Sequence, residues 1–180
     1  MRADAARNLD AVLEAGARLL ADDPGTSVGA IAAAAGVDRR TVYRRFPNRD
    51  ALLCAVFEAK LDALDDVLAE SRLAQAPVGV ALHRLVEGVV AVNHRYPVAH
   101  DQMACSDGLA ERSRAQRAQV EAFVRRAQDE GLIRDDLPDG VAHALLYSTV
   151  SLLARQFPEL DTGRAADLAV EILLGGIGRR

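Results

Sequence analysis

The feature that most restricts the fold lies in residues 27–47. It consists of two short segments with helical spacing, which are separated by a glycine and followed by a proline. Ser27 can accept the first free N–H group of one helix, and Asp38 can do the same for a second. Gly36 interrupts the helical pattern between them, and Pro47 ends the second helix because proline lacks the N–H group that a helix needs. The pattern predicts helices from Ser27 to Ala34 and from Asp38 to Phe46, joined by a tight turn.

The rest of the chain also follows helical spacing, without a strand signal. Half of its residues are apolar, only 4% are aromatic and tryptophan is absent, a composition that favours helices. Further helices are expected at about 4–21, after Asn48 to beyond Leu68, and at 78–93, 109–130, 138–157 and 162–175, with Pro97 opening or breaking a short segment. We therefore expect an all-α protein of about nine helices, with an N-terminal three-helix domain at 1–60 and a C-terminal helical bundle at 61–180.

The second short helix concentrates positive charge on an otherwise acidic chain. The formal net charge is −4, yet residues 38–49 hold five arginines and one aspartate. An apolar side would pack inward, comprising Ile31, Ala34, Val37, Val42 and Phe46. The outer side would then present Arg39, Arg40, Thr41, Tyr43, Arg44 and Arg45. Two short helices with a basic outer face are typical of a helix-turn-helix, whose second helix enters the major groove of DNA.

Two segments of the sequence also resemble a known family. Ser-Val-Gly-Ala-Ile-Ala-Ala-Ala-Ala-Gly-Val from residue 27, and Thr-Val-Tyr-Arg-Arg-Phe-Pro-Asn-Arg-Asp-Ala-Leu-Leu from residue 41, resemble the N-terminal domain of the tetracycline-repressor (TetR) family. The resemblance covers about residues 9–64. It implies a homodimer that binds double-stranded DNA and represses transcription at an inverted-repeat operator until an inducer binds its C-terminal domain.

By position, the resemblance implies seven DNA-contacting residues: Ser27, Arg39, Arg40, Thr41, Tyr43, Arg45 and Arg49. Tyr43 would contact phosphate, and Phe46 would lie in the core. Two positions depart from the usual pattern. Arg40 stands where a small residue is common, and Arg49 replaces a frequent lysine. Arg49 keeps the charge, whereas Arg40 adds either a base contact or a longer arm to phosphate.

The C-terminal two-thirds carry weaker signals. The resemblance implies a pocket for an unknown small-molecule inducer among the middle helices, with these candidates: Val86, Val90, Asn93, Phe123, His143 and Tyr147. Apolar residues on more than one face of 141–153, and their repeat on the last helix, predict a dimer interface that includes Leu145, Leu152, Leu168 and Ile172. For the ligand candidates, and for the interface residues as well, the alternative is packing within the core of a single chain.

Other classes of site find little support. The histidines, including His100, lack the spacing of a helical metal site, and Cys54 and Cys105 suggest neither metal nor redox chemistry, so we expect no metal, no cofactor and no enzymatic activity. Without a signal-peptide pattern or an apolar run long enough to span a membrane, a cytoplasmic location is expected. The alternatives are a ligand-binding or metal-carboxylate helical bundle without a DNA role, and a regulator that activates transcription.

Overall fold

The computed structural model describes residues 2–98 and 106–178, with side chains from residue 6 onwards. The all-α prediction is confirmed, with eight helices in the described residues where about nine were expected. They are α1 (Arg2–Asp22), α2 (Val28–Ala34), α3 (Arg39–Arg45), α4 (Arg49–Ser71), α5 (Val78–Arg95), α6 (Asp107–Asp129), α7 (Val141–Gln156) and α8 (Thr162–Ile177). The expected segment after Pro97 falls largely outside the described residues, as do His100 and Cys105.

The chain divides into two compact units. The first comprises 2–62 with the described parts of 95–110, and the second comprises 63–94 with 111–178. The division falls within α4, between Asp62 and Ala63. The predicted domains, 1–60 and 61–180, differ from these units mainly in where residues 95–110 belong.

The turn between α2 and α3 is built from local hydrogen bonds. The N–H group of Gly36 donates to the carbonyl of Ala33, and that of Val37 donates to the carbonyl of Ala32. This pair closes the end of α2 as a Schellman motif, which requires a left-handed residue. Gly36 supplies it, with φ of 66°, because glycine has no Cβ to clash in that region.

Small residues allow the helices of the first unit to approach closely. A Cβ atom added at Gly16 on α1 would lie 3.3 Å from Val56 Cγ2 on α4 and 3.6 Å from Ile31 Cγ2 on α2. Ile31, Val42 and Phe46 are buried as expected, whereas Val37 is half-buried and Ala34 is exposed. Burial of this apolar side fixes which side of α3 remains exposed.

The second unit has a continuous apolar core with contributions from all its helices. Fully buried members include Val86 and Val90 on α5, Val150 on α7 and Ala169 on α8. After α6, the N–H group of Arg134 donates to the carbonyl of Ile177 at 2.9 Å, which ties the connecting turn to the end of α8. The second unit is therefore a helical bundle closed by its last helix.

The last helix extends further than its sequence predicts. It begins at Thr162 as expected, with Asp161 as the N-cap residue, because Asp161 Oδ1 accepts the N–H group of Arg164 at 2.9 Å. The helix also continues past Gly175-Gly176 to Ile177. Ile177 is buried in the core of the second unit, and its burial offsets the weak helix propensity of the two glycines.

Candidate nucleic-acid interface

Helix α3 turns almost all of its side chains away from the protein. Val42 is its only buried residue, and Phe46 is buried immediately beyond its end. The exposed residues include four arginines and a threonine: Arg39, Arg40, Thr41, Arg44 and Arg45. Of the residues that the sequence predicted for DNA contact on this helix, Arg39, Arg40, Thr41 and Arg45 are therefore exposed, whereas Tyr43 is half-buried.

Side-chain caps begin α3 and the helices on either side of it. Asp38 Oδ1 accepts the N–H group of Thr41 at 3.1 Å, and Asn48 Oδ1 accepts the N–H group of Ala51 at 2.8 Å at the start of α4. Ser27 Oγ accepts the N–H group of Ala30 at 3.2 Å at the start of α2. Since Ser27 accepts in this bond, its own hydroxyl proton can still be donated to a phosphate oxygen.

Arg39 is positioned by two neighbours. Its guanidinium carbon lies 5.3 Å from the centre of the Tyr43 ring, which is within the range of a cation–π contact. A Cβ atom at Gly29 would lie 3.0 Å from the same carbon, so Arg39 lies directly against the backbone of α2. Gly29 is thus a supporting residue that sequence reasoning missed, since nothing in the local pattern shows which side chain will lie over it.

Arg49 has an incompletely satisfied guanidinium. Its Nε atom is buried and has no hydrogen-bond partner, and its Nη1 atom lies 3.5 Å from Asp50 Oδ1. A buried donor without an acceptor is costly, and a phosphate oxygen is an acceptor that an arginine binds well. This observation supports the predicted phosphate contact at Arg49.

The predicted ligand residues divide between the core and the surface. Val86, Val90, Asn93 and Phe123 are buried, His143 is half-buried, and Tyr147 is exposed. Val86, Val90 and Asn93 share one face of α5, because their spacing follows successive turns of the helix. Val86 and Val90 also belong to the same buried core cluster as Phe123, whereas His143 and Tyr147 do not.

Asn93 and its neighbour His94 carry unpartnered polar atoms. Asn93 is only 6% exposed, yet its Nδ2 atom has no hydrogen-bond partner, and the same holds for His94 Nε2. Burial also lowers the pKa of His143, and nearby Arg117 lowers it further while Glu121 opposes the shift. A lowered pKa favours a neutral imidazole, which can both donate and accept a hydrogen bond.

Exposed apolar side chains occur on the last two helices. Leu145 and Leu152 on α7 are 41% and 54% exposed, and Ile172 on α8 is 48% exposed. Leu168, the fourth predicted interface residue, is half-buried and packs against the core of its own unit. Phe157, just beyond α7, is also exposed and was not singled out from the sequence.

The described residues contain neither a metal-binding cluster nor a membrane-spanning helix. Among 2–98 and 106–178, no three His, Cys, Asp or Glu side chains lie where they could hold a metal ion together. Within the same residues, no helix is both long enough and apolar enough to cross a membrane.

Comparison with known proteins agrees with this architecture. Residues 12–56 match the model of the family described as bacterial regulatory proteins, tetR family. The HTH-type transcriptional repressor LfrR of Mycolicibacterium smegmatis is 41% identical over 81 residues, a match that spans 45% of this chain and 43% of that repressor.

Two solved structures extend the likeness to almost the whole chain. The TetR-like regulator LfrR from Mycobacterium smegmatis, in complex with proflavine, is 25% identical with a TM-score of 0.72, covering 95% of this chain and 97% of that one. The ketosteroid regulator KstR2 of Mycobacterium tuberculosis has a TM-score of 0.76 at 20% identity, covers 94% of each chain and shows the fold alone. Residues 12–56, which include the helix-turn-helix and the capped α3, are therefore similar to the N-terminal domain of the tetR family of bacterial regulatory proteins, and the described chain shares the fold of TetR-like regulators.

Proposed function

We propose that this protein is a ligand-responsive repressor that binds double-stranded DNA as a homodimer. The observation that carries the proposal is the outer surface of α3, whose arginines are exposed while Val42 and Phe46 anchor the helix from the opposite side. A capped helix with arginines on its outer side fits the major groove, where arginine binds guanine through O6 and N7. Such a regulator would meet its DNA in the cytoplasm.

The contacts divide into two kinds. Arg39, Arg40 and Thr41, at the start of α3, are placed to reach base edges, because the first residues of a recognition helix contact the bases. Ser27, Tyr43, Arg45 and Arg49 are placed to bind phosphates, which fix the register of the protein without reading sequence. The unpartnered Nε atom of Arg49 supports this assignment.

A second copy of the chain would pack through α7 and α8. Leu145, Leu152 and Ile172 are exposed apolar residues that association would cover. A symmetric pair of two-helix faces forms a four-helix interface in which each copy uses the same surface. Two recognition helices then occupy successive major grooves about 34–36 Å apart, which requires an inverted-repeat operator.

The ligand would bind at the face of α5 that carries Val86, Val90 and Asn93. The amide of Asn93 offers a buried donor without an acceptor, as expected of a polar group reserved for a ligand in an apolar site. Release from DNA requires that the ligand bind the two forms of the dimer with different affinity, typically by about 1–3 kcal/mol. LfrR, solved with proflavine, makes that compound a suitable first probe.

Selection of bound sequences from random duplex DNA tests the proposal directly. We expect enrichment of an inverted repeat, with an affinity that falls steeply as salt is raised because phosphate contacts release counterions. The variant Arg39→Ala/Arg45→Ala should lose this enrichment. The control Arg84→Ala/Arg125→Ala removes the same charge from exposed positions on α5 and α6 and should retain it. Equal binding by both double variants would refute the role of α3.

A further inference from the structure

A groove of about 420 Å³ opens beside the end of α4, within the second unit. Its volume lies in the range of ligand sites, roughly 300–1,000 Å³. Leu68 and Phe123 form a buried apolar floor, and Leu73 is half-buried beside them. Phe123 was also a candidate for the inducer pocket, but Val86, Val90 and Asn93 do not line the groove, so it differs from the ligand site proposed above on α5.

Both charged residues that line the groove are positive. Among its ten lining residues are Arg72, Arg126, Gln75 and Gln119, but neither aspartate nor glutamate. Arginine binds carboxylate and phosphate oxygens through paired N–H groups, so the lining favours an anion.

The two arginines differ in how firmly they are held. Arg126 donates through Nη1 to the carbonyl of Leu73 at 2.7 Å and through Nε to Glu130 Oε1 at 2.7 Å. These bonds fix its guanidinium, and Glu130 offsets part of its charge. Among the described residues, no hydrogen bond or ion pair holds the Arg72 side chain, so its charge is available to a ligand.

The backbone of Arg72 adds a second indication. Its φ is 50°, and it is the only non-glycine residue with a positive φ in the described chain. Its carbonyl accepts the N–H groups of Gln75 and Ala76, both at 2.9 Å, so the turn keeps it in a conformation that a residue with a Cβ atom disfavours. Such conformations persist where the surrounding structure imposes them, and they cluster at binding sites.

We propose that this groove binds an amphiphilic carboxylate, with its charged end on Arg72 and Arg126 and its hydrocarbon chain over Leu68, Leu73 and Phe123. The apolar floor buries the chain, while the arginines replace the water lost by the carboxylate. This site requires neither DNA binding nor the site at Asn93, so its test is independent of both.

Decanoate, used below its micelle-forming concentration, is the probe, and isothermal titration calorimetry without DNA is the measurement. We expect saturable binding of one decanoate per chain. Decyltrimethylammonium, which carries a similar chain with the opposite charge, should bind at least about tenfold more weakly, because it gains no charge-assisted hydrogen bonds. Equal affinity for the two amphiphiles, or no saturable binding of decanoate, would overturn the proposal.

Variants then locate the bound molecule. Arg72→Gln should weaken decanoate binding by about tenfold, and Ala122→Trp should abolish it by filling the groove. Arg125→Gln removes a charge from the next position on α6, outside the lining, and Asn93→Leu alters the other site. Both controls should leave the affinity unchanged. Loss of binding in Asn93→Leu with normal binding in Ala122→Trp would place decanoate at Asn93 and refute the groove.

Discussion

The arginines of α3 have different surroundings, and these surroundings distinguish their expected roles. Arg39 lies over the Tyr43 ring and against Gly29, and Arg45 lies 6.0 Å from the centre of the Phe46 ring. Arg40 has neither kind of contact and is exposed at the start of the helix. It therefore retains the full reach of its side chain, at the position where the usual family pattern has a small residue.

Arg40→Ala should reveal whether this residue reads sequence. If Arg40 binds a base through paired hydrogen bonds, its loss costs about 1–3 kcal/mol on the preferred site and relaxes specificity at one base pair. Binding titrations on the selected operator and on its single-base variants measure this effect. Arg84→Ala is the control for charge. A uniform loss over all sequences would instead make Arg40 a phosphate contact.

Asn93 should behave differently from another buried amide. Asn93 Nδ2 is unpartnered, whereas Gln116, equally buried at 6% exposure, donates to Asp65 Oδ1 at 2.6 Å. Asn93→Leu should therefore raise the free energy of unfolding by about 1–3 kcal/mol, since it removes an unsatisfied donor, while Gln116→Leu should lower it. Urea unfolding checks both. Destabilisation by Asn93→Leu would show that its amide already serves the fold.

At the scale of the elements, the packing of α5 on α4 depends on one glycine. A Cβ atom at Gly88 would lie 2.6 Å from Val67 Cγ1, closer than real contacts allow. Gly79, on the same helix, has nothing within 4 Å of the corresponding position. Gly88 therefore allows the contact between α5 and α4, whereas Gly79 supports no such contact and can serve as its control.

Gly88→Ala should lower the free energy of unfolding by about 1–3 kcal/mol through overpacking. Gly79→Ala should raise it by about 0.5–1 kcal/mol, because alanine favours the helix more than glycine does. Val67→Ala/Gly88→Ala should recover much of the loss, and the double-mutant cycle gives the coupling directly. Thermal or urea unfolding of the parent chain, Val67→Ala, Gly88→Ala, the double variant and Gly79→Ala is sufficient. Additive effects would contradict the contact.

The link between α4 and α6 should respond to pH. Partial burial raises the pKa of Asp65, but hydrogen bonds from Gln116 and Arg112 outweigh it and leave the pKa below its ordinary value. A carboxylate with a lowered folded-state pKa contributes stability above its unfolded value, about 3.9, and loses it as the pH falls through the folded value.

Asp65→Asn should therefore weaken the dependence of stability on pH. At neutral pH the variant should lose roughly 1 kcal/mol or less, since Asp65 is partly exposed and solvent screens the pair. Below about pH 4 its free energy of unfolding should fall less steeply than that of the parent chain. Urea unfolding across this range measures the difference. Asp66→Asn, at the exposed neighbouring position, is the control and should retain the parent's slope.

At the scale of the whole molecule, the proposed binding of DNA by two recognition helices requires that two copies of the chain associate. The exposed apolar residues of α7 and α8 provide a surface for it, but Val80 on α5 is similarly exposed at 43% and belongs to neither helix. Exposure alone therefore does not identify an interface. The proposed dimer depends on the combination of exposure with the two-helix arrangement of α7 and α8.

Leu152→Glu should dissociate the dimer, because two like charges would be buried at the symmetric interface. Val80→Glu should leave association unchanged. Analytical ultracentrifugation gives the oligomeric state, and titration with the selected inverted repeat should show a parallel loss of affinity only in Leu152→Glu. A monomeric parent chain, or equal effects of both substitutions, would contradict the interface on α7 and α8.

The sequence by itself determined the local structure. The helix-turn-helix and its exposed arginines follow from interactions between residues that are close in the sequence. These interactions are the caps at Ser27, Asp38 and Asn48, the left-handed turn at Gly36 and the helix stop at Pro47. The candidates Val86, Val90 and Asn93 on α5, in contrast, followed from the resemblance to a family.

Only the tertiary structure decided which distant side chains meet. The placement of Arg39 over Gly29, the contact of Gly88 with Val67 and the joining of Arg72 with Arg126 in one groove depend on how helices cross. The tertiary structure also decided that Asn93 Nδ2 has no hydrogen-bond partner, because this depends on every group that surrounds the amide. Helical periodicity shows which face of a helix is apolar, whereas the partner of that face is fixed by packing between elements far apart in the chain.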